Sequence, residues 1–378
     1  MKIGILTLPI ETNYGGILQA FALQKVLRDM GHDVLTIDHH WPRHYKSFYH
    51  QLRSFTSRCY HHFLKGANVS VAWNGYITDK DYNFISRKTQ LFINRNICLT
   101  QKVETPQLNR IEDYYKFDAY VVGSDQIWLP YYFPYSFLSF VKREEVLKIV
   151  YAASCGKQSW LDFDVSAEQA KLLAQSFKSF STREAKLAER ALEVLHREVV
   201  HVLDPTMLLS PTDYLNACKE NNSFPEHILF TYVLDNTNEK QTVAAEIGKK
   251  LNLEVIDGNV KTTYLKKRGI NLEDCTFPSV DRWLQGFEKS KFIVTDSFHG
   301  TVFSILFNRP FVVIGNPKRG LERFLSLLSM FGLSHRLVTN LQEAKLCAEQ
   351  SIDWEVVNKK LYEMKHFSQD FLLKSLQS

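Results

Sequence analysis

Residues 292–314 constrain the fold of this chain more than any other segment. They read as an apolar strand, a polar loop, a short apolar helix, a turn and a second apolar strand. Two strands joined by a helical crossover pair in parallel, so the segment predicts a parallel α/β sheet. The loop at residues 295–300 would then lie between a strand and a helix, where open α/β sheets bind ligands. Because helix N-termini attract negative charge, we expect an anionic ligand there.

The same alternation of strand and helix continues through most of the chain. Apolar positions from Ile17 to Met30 recur at helical spacing, and Gly31 is placed to end that helix. Further strands are predicted near residues 2–8, 33–38, 118–122, 148–153, 177–181, 199–203, 227–234, 253–257, 292–295 and 311–314. We therefore predict an α/β fold of two doubly wound, Rossmann-like domains that face a central cleft, at residues 1–208 and 209–378.

Residues 39–117 interrupt this alternation, and we predict that they form an insertion in the first domain. Residues 39–78 contain no Asp or Glu, five Lys or Arg and six His, together with many aromatic residues. Two interpretations stay open. The segment is a variable insertion that packs beside the cleft, or it contacts an anionic membrane surface, which Lys, Arg and aromatic residues suit.

The composition excludes several classes of protein. Hydrophobic residues make up 45% and charged residues 23%, as in a globular chain, and a net charge of +5 is too small to argue for nucleic acid. The six cysteines include no pair at metal-ligand spacing, so we expect reduced thiols and no metal site. No apolar run approaches the roughly 20 residues of a membrane helix, and the N-terminus does not resemble a signal peptide. We expect a cytoplasmic protein.

Four residues of the loop at 295–300 could carry chemistry. A single His is more often structural than catalytic, but His299 lies where the site of an open α/β sheet is expected and can move protons near neutral pH. We therefore predict that His299 is a general acid. Asp296 is a candidate base, and Ser297 and Gly300 are candidate contacts for the ligand at the start of the helix.

Three other loops also follow predicted strands. The paired glycines of the first loop would let a ligand approach the backbone closely, or they simply form the turn into the helix. On the second loop, Asp125 either faces a sugar hydroxyl or caps a turn. The candidates on the three loops are Asn13, Tyr14, Gly15, Gly16, Ser124, Asp125 and Ser154.

Cations follow two more strands. Arg183 lies at the start of a helix, where a cation is poorly placed unless its planar guanidinium binds a carboxylate or phosphate. Lys318, Arg319 and Arg323 are clustered after the strand at residues 311–314, where they either bind an anion or lie on the surface.

Six separated motifs occur in order along the chain: NYGGILQAFALQKVL, VVGSDQIW, YAASCG, STRE, VLDPT and TDSFHGTVFSILFNRPFVVI. Together they resemble the polysaccharide pyruvyl transferase family. The resemblance extends from residue 3 to about residue 335, and residues 39–117 carry little of it.

The resemblance implies a fold similar to that of GT-B glycosyltransferases. It also implies transfer of a pyruvyl group from phosphoenolpyruvate to a sugar of a cell-surface polysaccharide precursor, which forms a cyclic ketal without a cofactor. By resemblance, His299 corresponds to the active-site His of the family and Arg183 to its donor-binding Arg. Asp125 or Asp296 would take the hydroxyl proton. Acceptors of such enzymes are often lipid-linked saccharides, so the resemblance permits peripheral contact with the inner membrane face.

The chain departs from the family pattern at one position. Some members have Arg two residues before the His, where this chain has Ser297. Either Arg319 or Arg323 supplies the phosphate contact instead, or the donor differs. Two other functions remain open: a GT-B-like glycosyltransferase that uses a nucleotide sugar, and a non-catalytic relative that binds saccharides.

Overall fold

The computed structural model describes residues 1–41, 55–57, 59–64, 79–156, 164–262, 271–315 and 320–377. Lys318, Arg319 and most of the basic stretch at residues 39–78 lie outside these ranges. The expectations for those residues therefore stay predictions.

Parallel strands form the frame of the fold. The described strands are β1 (Lys2–Leu6), β2 (Asp33–Thr36), β3 (His39–His40), β4 (Val103–Glu104), β5 (Ala119–Gly123), β6 (Leu147–Ala153), β7 (Ser179–Thr182), β8 (Val199–His201), β9 (Ile228–Tyr232), β10 (Glu254–Asp257), β11 (Phe292–Thr295), β12 (Phe311–Ile314) and β13 (Leu337–Val338). The first sheet has the order β2-β1-β5-β6-β7-β8, the second has the order β10-β9-β11-β12-β13, and β3 pairs with β4. The α/β fold with parallel sheets is confirmed.

Helices connect most of these strands. The described α-helices are α1 (Tyr14–Asp29), α2 (Asp79–Asn96), α3 (Asn109–Tyr115), α4 (Asp164–Ala174), α5 (Ala185–Leu195), α6 (Pro211–Ala217), α7 (Asn238–Leu251), α8 (Val280–Lys289), α9 (Phe298–Leu306), α10 (Glu322–Met330), α11 (Leu341–Glu349) and α12 (Trp354–Leu376). Side chains cap several of their starts. Asn13, Ser279 and Asp353 each accept a hydrogen bond from a backbone N–H in the first turn of the helix that follows.

Each sheet has one point where the strand order reverses. In the first sheet, β1 lies between β2 and β5, so the crevice opens at Thr7 and Ser124, just past the carboxyl ends of β1 and β5. The Thr7 hydroxyl donates to the Ser124 carbonyl at 3.5 Å. In the second sheet, β9 lies between β10 and β11, so the crevice opens at residues 296–299. Topology therefore places candidate residues at both reversal points.

One hydrophobic cluster joins the two sheets. A single cluster of buried residues contains Ile17 of α1 together with Trp283 of α8 and Phe303 of α9. The Tyr14 ring stacks on Trp283 with 5.4 Å between centroids, and its hydroxyl donates to the Pro278 carbonyl at 2.8 Å. The start of α1 is thus fixed against elements of the second sheet. We call the boundary between the two sets of elements the seam.

Helix α2, which belongs to the predicted insertion, also crosses the seam. The Ile85 carbonyl accepts from the Phe277 N–H at 3.0 Å. Arg95 forms an ion pair of 3.0 Å with Asp281, which is buried on α8. Part of the insertion therefore ties the two sheets together.

The last helix returns to the first sheet. Ser368 of α12 accepts a hydrogen bond from the Leu203 N–H at 3.0 Å, and Ser179 of β7 donates to Ser375 at 2.7 Å. The boundary predicted at residues 208 and 209 falls between β8 and β9, and its position stays a prediction. Within the described ranges, no helix combines the length and apolar character that a membrane span requires.

Candidate active site

The loop after β11 becomes a helix earlier than its sequence predicts. Helix α9 begins at Phe298 because Ser297 acts as its N-cap and accepts from the Gly300 N–H at 3.3 Å. A side chain at Gly300 would meet Thr295, since an added Cβ would lie 2.2 Å from the Thr295 hydroxyl. Ser297 and Gly300 therefore shape the start of α9, and His299 lies in its first turn.

His299 lies at the seam. Its Nε2 atom is 3.8 Å from a carboxylate oxygen of Asp204, which is too long for a hydrogen bond but close enough for an ion-pair contact once the ring is protonated. Its Nδ1 edge faces Gly15 of α1, because a Cβ added at Gly15 would lie 2.0 Å from that atom. The side chain is 8% exposed. His299 follows a strand of the second sheet, and it thus lies between Gly15 and Asp204, which both follow strands of the first sheet.

The close approach of Gly15 to His299 gives a prediction about stability. Gly15→Ala should destabilise the fold by roughly 1–3 kcal/mol, because the added methyl group overpacks the seam. Gly16→Ala is the matched control, since its added Cβ would come no closer than 3.7 Å to any atom and alanine suits a helix better than glycine. Urea unfolding of both variants measures the difference. Equal stability of the two variants would contradict the described contact.

Two helix N-termini meet at this point. Asn13 caps α1 by accepting from the Gly16 N–H at 3.3 Å, and Gly15 in the first turn of α1 contacts His299 in the first turn of α9. The first N–H groups of any helix lack partners within that helix and carry partial positive charge. The N-termini of α1 and α9 therefore contribute positive potential here, which favours a small anion, while the Asp125 and Asp204 carboxylates add negative charge nearby.

Asp125 lies beside this region. Its backbone has a φ of +58°, a left-handed conformation that Asp adopts more readily than most residues. One carboxylate oxygen pairs with Arg183 at 3.0 Å, and the other lies 4.0 Å from the position of a Cβ added at Gly16. Ser124 donates its hydroxyl to Asp204 at 3.1 Å. Residues from two predicted loops thus lie close together in the structure.

Arg183 is the centre of this cluster. Its guanidinium pairs with Asp204 at 2.7 Å and Asp125 at 3.0 Å, lies 3.6 Å from Glu184, and stacks on the Phe298 ring at 4.3 Å. Burial alone would lower the pKa of Arg183, but the surrounding carboxylates outweigh burial and raise it. Two nitrogens of the guanidinium therefore pair with protein carboxylates. A bound donor would have to compete with these carboxylates for Arg183, so the donor-binding role of Arg183 stays a prediction.

The pKa values of the buried carboxyls of Asp204 and Glu184 are shifted in opposite directions. Burial would raise the pKa of Asp204, but contacts with His299, Arg183 and Thr206 outweigh it and hold that pKa well below the usual range. Burial raises the pKa of Glu184, and neighbouring cations and the Ser154 hydroxyl offset this only in part. Asp204 is therefore the ionised partner of His299, whereas Glu184 is the carboxylate that protonates more readily.

Several polar atoms of the cluster are buried without a hydrogen bond. His299 Nε2, Arg183 Nε and Glu184 Oε2 have no hydrogen-bond partner among the described residues. Buried polar atoms in native proteins are nearly always satisfied, by protein groups or by a bound molecule. These atoms therefore mark the cluster as the place where a polar ligand or water would be held.

Asp296 lies outside this group, although the sequence suggested it as a base. Its carboxylate pairs with Lys240 at 2.5 Å and accepts the backbone N–H groups of Leu234 and Asp235 at 2.6 and 3.1 Å. Asp296 thereby holds the loop after β9 against the end of β11. The residue is 2% exposed, so its contacts are those of a structural carboxylate, and its catalytic role stays a prediction that these contacts do not favour.

The remaining candidates lie at the edge of the cluster. Ser154 donates to Glu184 at 2.7 Å. Arg323, near the start of α10, lies 5.9 Å from the Phe298 ring, and its charge acts on Glu184. Arg319 lies outside the described residues. Within those residues, no three His, Cys, Asp or Glu side chains are arranged to hold a metal ion.

Sequence reasoning missed the roles of Asp204 and Glu184. Both belong to motifs of the family resemblance, VLDPT and STRE, but the sequence alone does not single out either carboxylate. The unusual position of Arg183 was the available signal, since a buried cation needs carboxylate partners.

A family model described as polysaccharide pyruvyl transferase matches residues 13–318. The matched range contains the start of α1, Asp125, Arg183, Asp204 and His299. The sequence search against curated proteins gives no match.

Two solved structures show which fold the chain has. A structure described as a UDP-N-acetylglucosamine 2-epimerase from Listeria monocytogenes aligns with 99% of this chain and 95% of its own, with a TM-score of 0.54 and 9% identity. The MnaA–UDP co-structure from S. aureus aligns with 98% of this chain and 95% of its own, with a TM-score of 0.50 and 14% identity. At such low identity the likeness concerns the fold alone. The GT-B-like fold predicted from the sequence is confirmed.

Proposed function

Since the chain belongs to the polysaccharide pyruvyl transferase family, we propose that it transfers a pyruvyl group from phosphoenolpyruvate to a saccharide and forms a cyclic ketal. The observation that carries the proposal is the contact between the first turns of α1 and α9, where His299 lies between Gly15 and Asp204. A proton donor thus lies next to a region that favours a small anion.

The donor molecule fits the charges of this region. Phosphoenolpyruvate carries a carboxylate and a phosphate, both of which suit helix N-termini and guanidinium groups. The N-termini of α1 and α9 would bind one anionic group each, and Arg323 and Arg319 are the candidate cations. In this proposal Arg183 acts mainly through Asp125 and Asp204, which it holds in place.

The reaction begins with a proton transfer to carbon. His299 gives a proton to the methylene carbon of phosphoenolpyruvate, which becomes a methyl group, and positive charge develops at C2. Asp204 stabilises the charged imidazole from which the proton comes. A sugar hydroxyl attacks C2 and gives its proton to Asp125, which forms a tetrahedral centre with four substituents: methyl, carboxylate, phosphate and sugar oxygen.

Loss of phosphate completes the exchange. The C2–O bond to phosphate breaks, the phosphate leaves with the electron pair, and a second sugar hydroxyl attacks C2 to close the ketal. The second hydroxyl proton leaves with the phosphate. The proton held by Asp125 replaces the one that His299 gave up, so the protein ends in the state in which it began.

The acceptor in this proposal is a saccharide of a cell-surface polysaccharide precursor. Such acceptors are made inside the cell and are often carried on a lipid, so we propose a cytoplasmic protein that contacts the inner membrane face when the acceptor is lipid-linked. Two adjacent hydroxyls on one sugar meet the chemical requirement of the ketal.

Ligand-dependent unfolding gives a direct test of the donor. Millimolar phosphoenolpyruvate should raise the melting temperature of the protein, because a ligand that binds only the folded state stabilises it. UDP-N-acetylglucosamine at the same concentration should have little effect. Differential scanning fluorimetry measures both shifts, and inorganic phosphate serves as the control for a phosphate group alone.

A higher melting temperature with UDP-N-acetylglucosamine, and little change with phosphoenolpyruvate, would favour the alternative function, a glycosyltransferase that uses a nucleotide sugar. If phosphoenolpyruvate stabilises the protein but no saccharide in a broad panel releases phosphate from it, the third function, a non-catalytic saccharide-binding relative, would replace the proposal.

A further inference from the structure

An aromatic cluster includes residues of the connection that follows Asp125, and it has no part in the chemistry described above. Trp41 follows β3, whereas Tyr131, Tyr132 and Tyr135 follow β5. The Trp41 ring centroid lies 6.4 Å from that of Tyr131, 5.9 Å from Tyr132 and 6.0 Å from Tyr135. Two segments distant in sequence therefore contribute to one cluster, which we call the aromatic shelf.

The shelf lies at the ligand-binding edge of the first sheet. The strands β2, β1 and β5 are neighbours, and Trp41 and Tyr131 both come from segments beyond their carboxyl ends. His39 fixes the Trp41 segment, because its Nε2 bonds the Thr7 carbonyl at 2.7 Å and its Nδ1 bonds the Thr105 hydroxyl at 2.9 Å. Burial lowers the pKa of His39 to about 4, so the ring is neutral and can donate to one partner and accept from the other.

The turn between Asp125 and the shelf is also fixed. The Ile127 N–H donates to the Asp125 carbonyl at 2.8 Å, and the Trp128 N–H donates to the Ser154 carbonyl at 3.1 Å. Tyr132 follows this turn in the sequence. Burial is the main cause that raises the pKa of Tyr132, the Tyr131 hydroxyl adds to it, and the charge of Asp125 contributes in the same direction.

The aromatic shelf has a buried side and a side that is open to solvent. Tyr132 is 5% exposed and belongs to the core, whereas Tyr131 is 56% exposed and Trp41 and Tyr135 are half-buried. Packing explains Tyr132 but does not explain why Tyr131, six residues after Asp125 in the sequence, is largely exposed. Aromatic rings with hydroxyl edges offer an apolar surface and polar partners side by side. A pyranose ring has the matching form, with apolar C–H faces and hydroxyls around its rim.

We propose that the aromatic shelf is a pyranose-binding subsite in which a sugar ring stacks on Tyr131 and Trp41 and directs its hydroxyls toward Asp125. The inference rests on the proposed function only for calling that sugar the acceptor. The shelf holds the ring, and Asp125 then meets the hydroxyl that attacks C2.

The test measures saccharide binding without phosphoenolpyruvate, so that it does not depend on the reaction. Saturation-transfer NMR with a panel of hexopyranosyl disaccharides compares the parent protein with Tyr131→Ala, Tyr131→Phe and the control Tyr362→Ala. Tyr362 is suitable because it is 65% exposed and lies on α12. Circular dichroism checks that each variant folds, which the exposure of Tyr131 favours.

We expect Tyr131→Ala to weaken binding of the best disaccharide roughly two- to tenfold, the effect of removing one aromatic contact. Tyr131→Phe keeps the ring and should bind nearly as the parent does, and so should Tyr362→Ala. Equal binding by the parent and Tyr131→Ala would overturn the inference. So would a parent that binds no disaccharide, or one that binds phosphatidylglycerol vesicles through Tyr131 instead. If Tyr131-dependent binding occurs but no saccharide releases phosphate from phosphoenolpyruvate, the subsite stands and the proposed reaction fails.

Discussion

His299→Ala should abolish pyruvyl transfer and leave the fold intact. Loss of a general acid typically lowers the rate by roughly 10²–10⁴-fold, and here the proton must go to carbon, for which the described residues of the cluster offer no second imidazole. Binding of phosphoenolpyruvate should persist, because the backbone N–H groups of α1 and α9 remain. We expect kcat to fall while the melting shift caused by the donor is largely retained.

His366→Ala is the matched control for this variant. His366 is exposed on α12 and packs against Tyr362 with 4.3 Å between ring centroids, so its loss should change neither stability nor turnover. Rates of phosphate release for both variants at saturating donor decide the role of His299. Turnover by His299→Ala within about tenfold of the parent would remove His299 from the mechanism.

Arg183→Met should destabilise the protein more than any other single change proposed for this chain. The substitution keeps much of the side-chain volume but leaves Asp125, Asp204 and Glu184 buried without their shared cation. Breaking a buried ion pair by removing one partner typically costs about 3–5 kcal/mol. Urea unfolding at pH 7 should show a loss in that range.

The pH dependence of this loss identifies its cause. In the parent, the depressed pKa of Asp204 contributes stability that is present above the unfolded pKa of Asp and is lost as the pH falls through the folded value. Without Arg183, burial is the dominant influence on Asp204 and Glu184, so the folded pKa values of these two carboxyls rise and their ionised forms become unfavourable. The deficit of the variant should therefore be larger at pH 7 than at pH 5.

A surface arginine supplies the comparison for Arg183. Arg190 pairs with Glu193 at 3.2 Å, and both side chains are largely exposed, so Arg190→Met should change the free energy of unfolding by less than about 0.5 kcal/mol. A deficit for Arg183→Met that is below about 1 kcal/mol, or that is equal at both pH values, would show that the ion-pair cluster contributes little to stability.

The sequence was sufficient to predict the elements that surround the site. β11 and β12 have the predicted bounds, because a short apolar run flanked by polar residues shows where a strand begins and ends. Helix α9 begins at residue 298 rather than 301, since the cap at Ser297 is a local hydrogen bond that the apolar pattern does not reveal. The parallel pairing of these strands then follows from the helical connections between them.

The partners of the site residues could not be predicted in the same way. Arg183 contacts Asp125 and Asp204, which are 58 and 21 residues away in the sequence, and the contact of Gly15 with His299 joins two separate sheets. Such contacts depend on how the sheets pack, which no local pattern encodes. For the same reason Asp296 resembled a catalytic carboxylate in the sequence, although Lys240 binds it in the structure.

The central claim is that His299, between the N-termini of α1 and α9, protonates phosphoenolpyruvate for transfer to a sugar. The most direct measurement uses phosphoenolpyruvate labelled in its pyruvyl carbons, with a panel of saccharides, in heavy water. The account predicts labelled saccharide and free phosphate in equal amounts, with solvent deuterium in the methyl group of the product, and neither product from the His299→Ala variant. Labelled saccharide formed equally well by that variant, or phosphate released without any label on the saccharide, would contradict it.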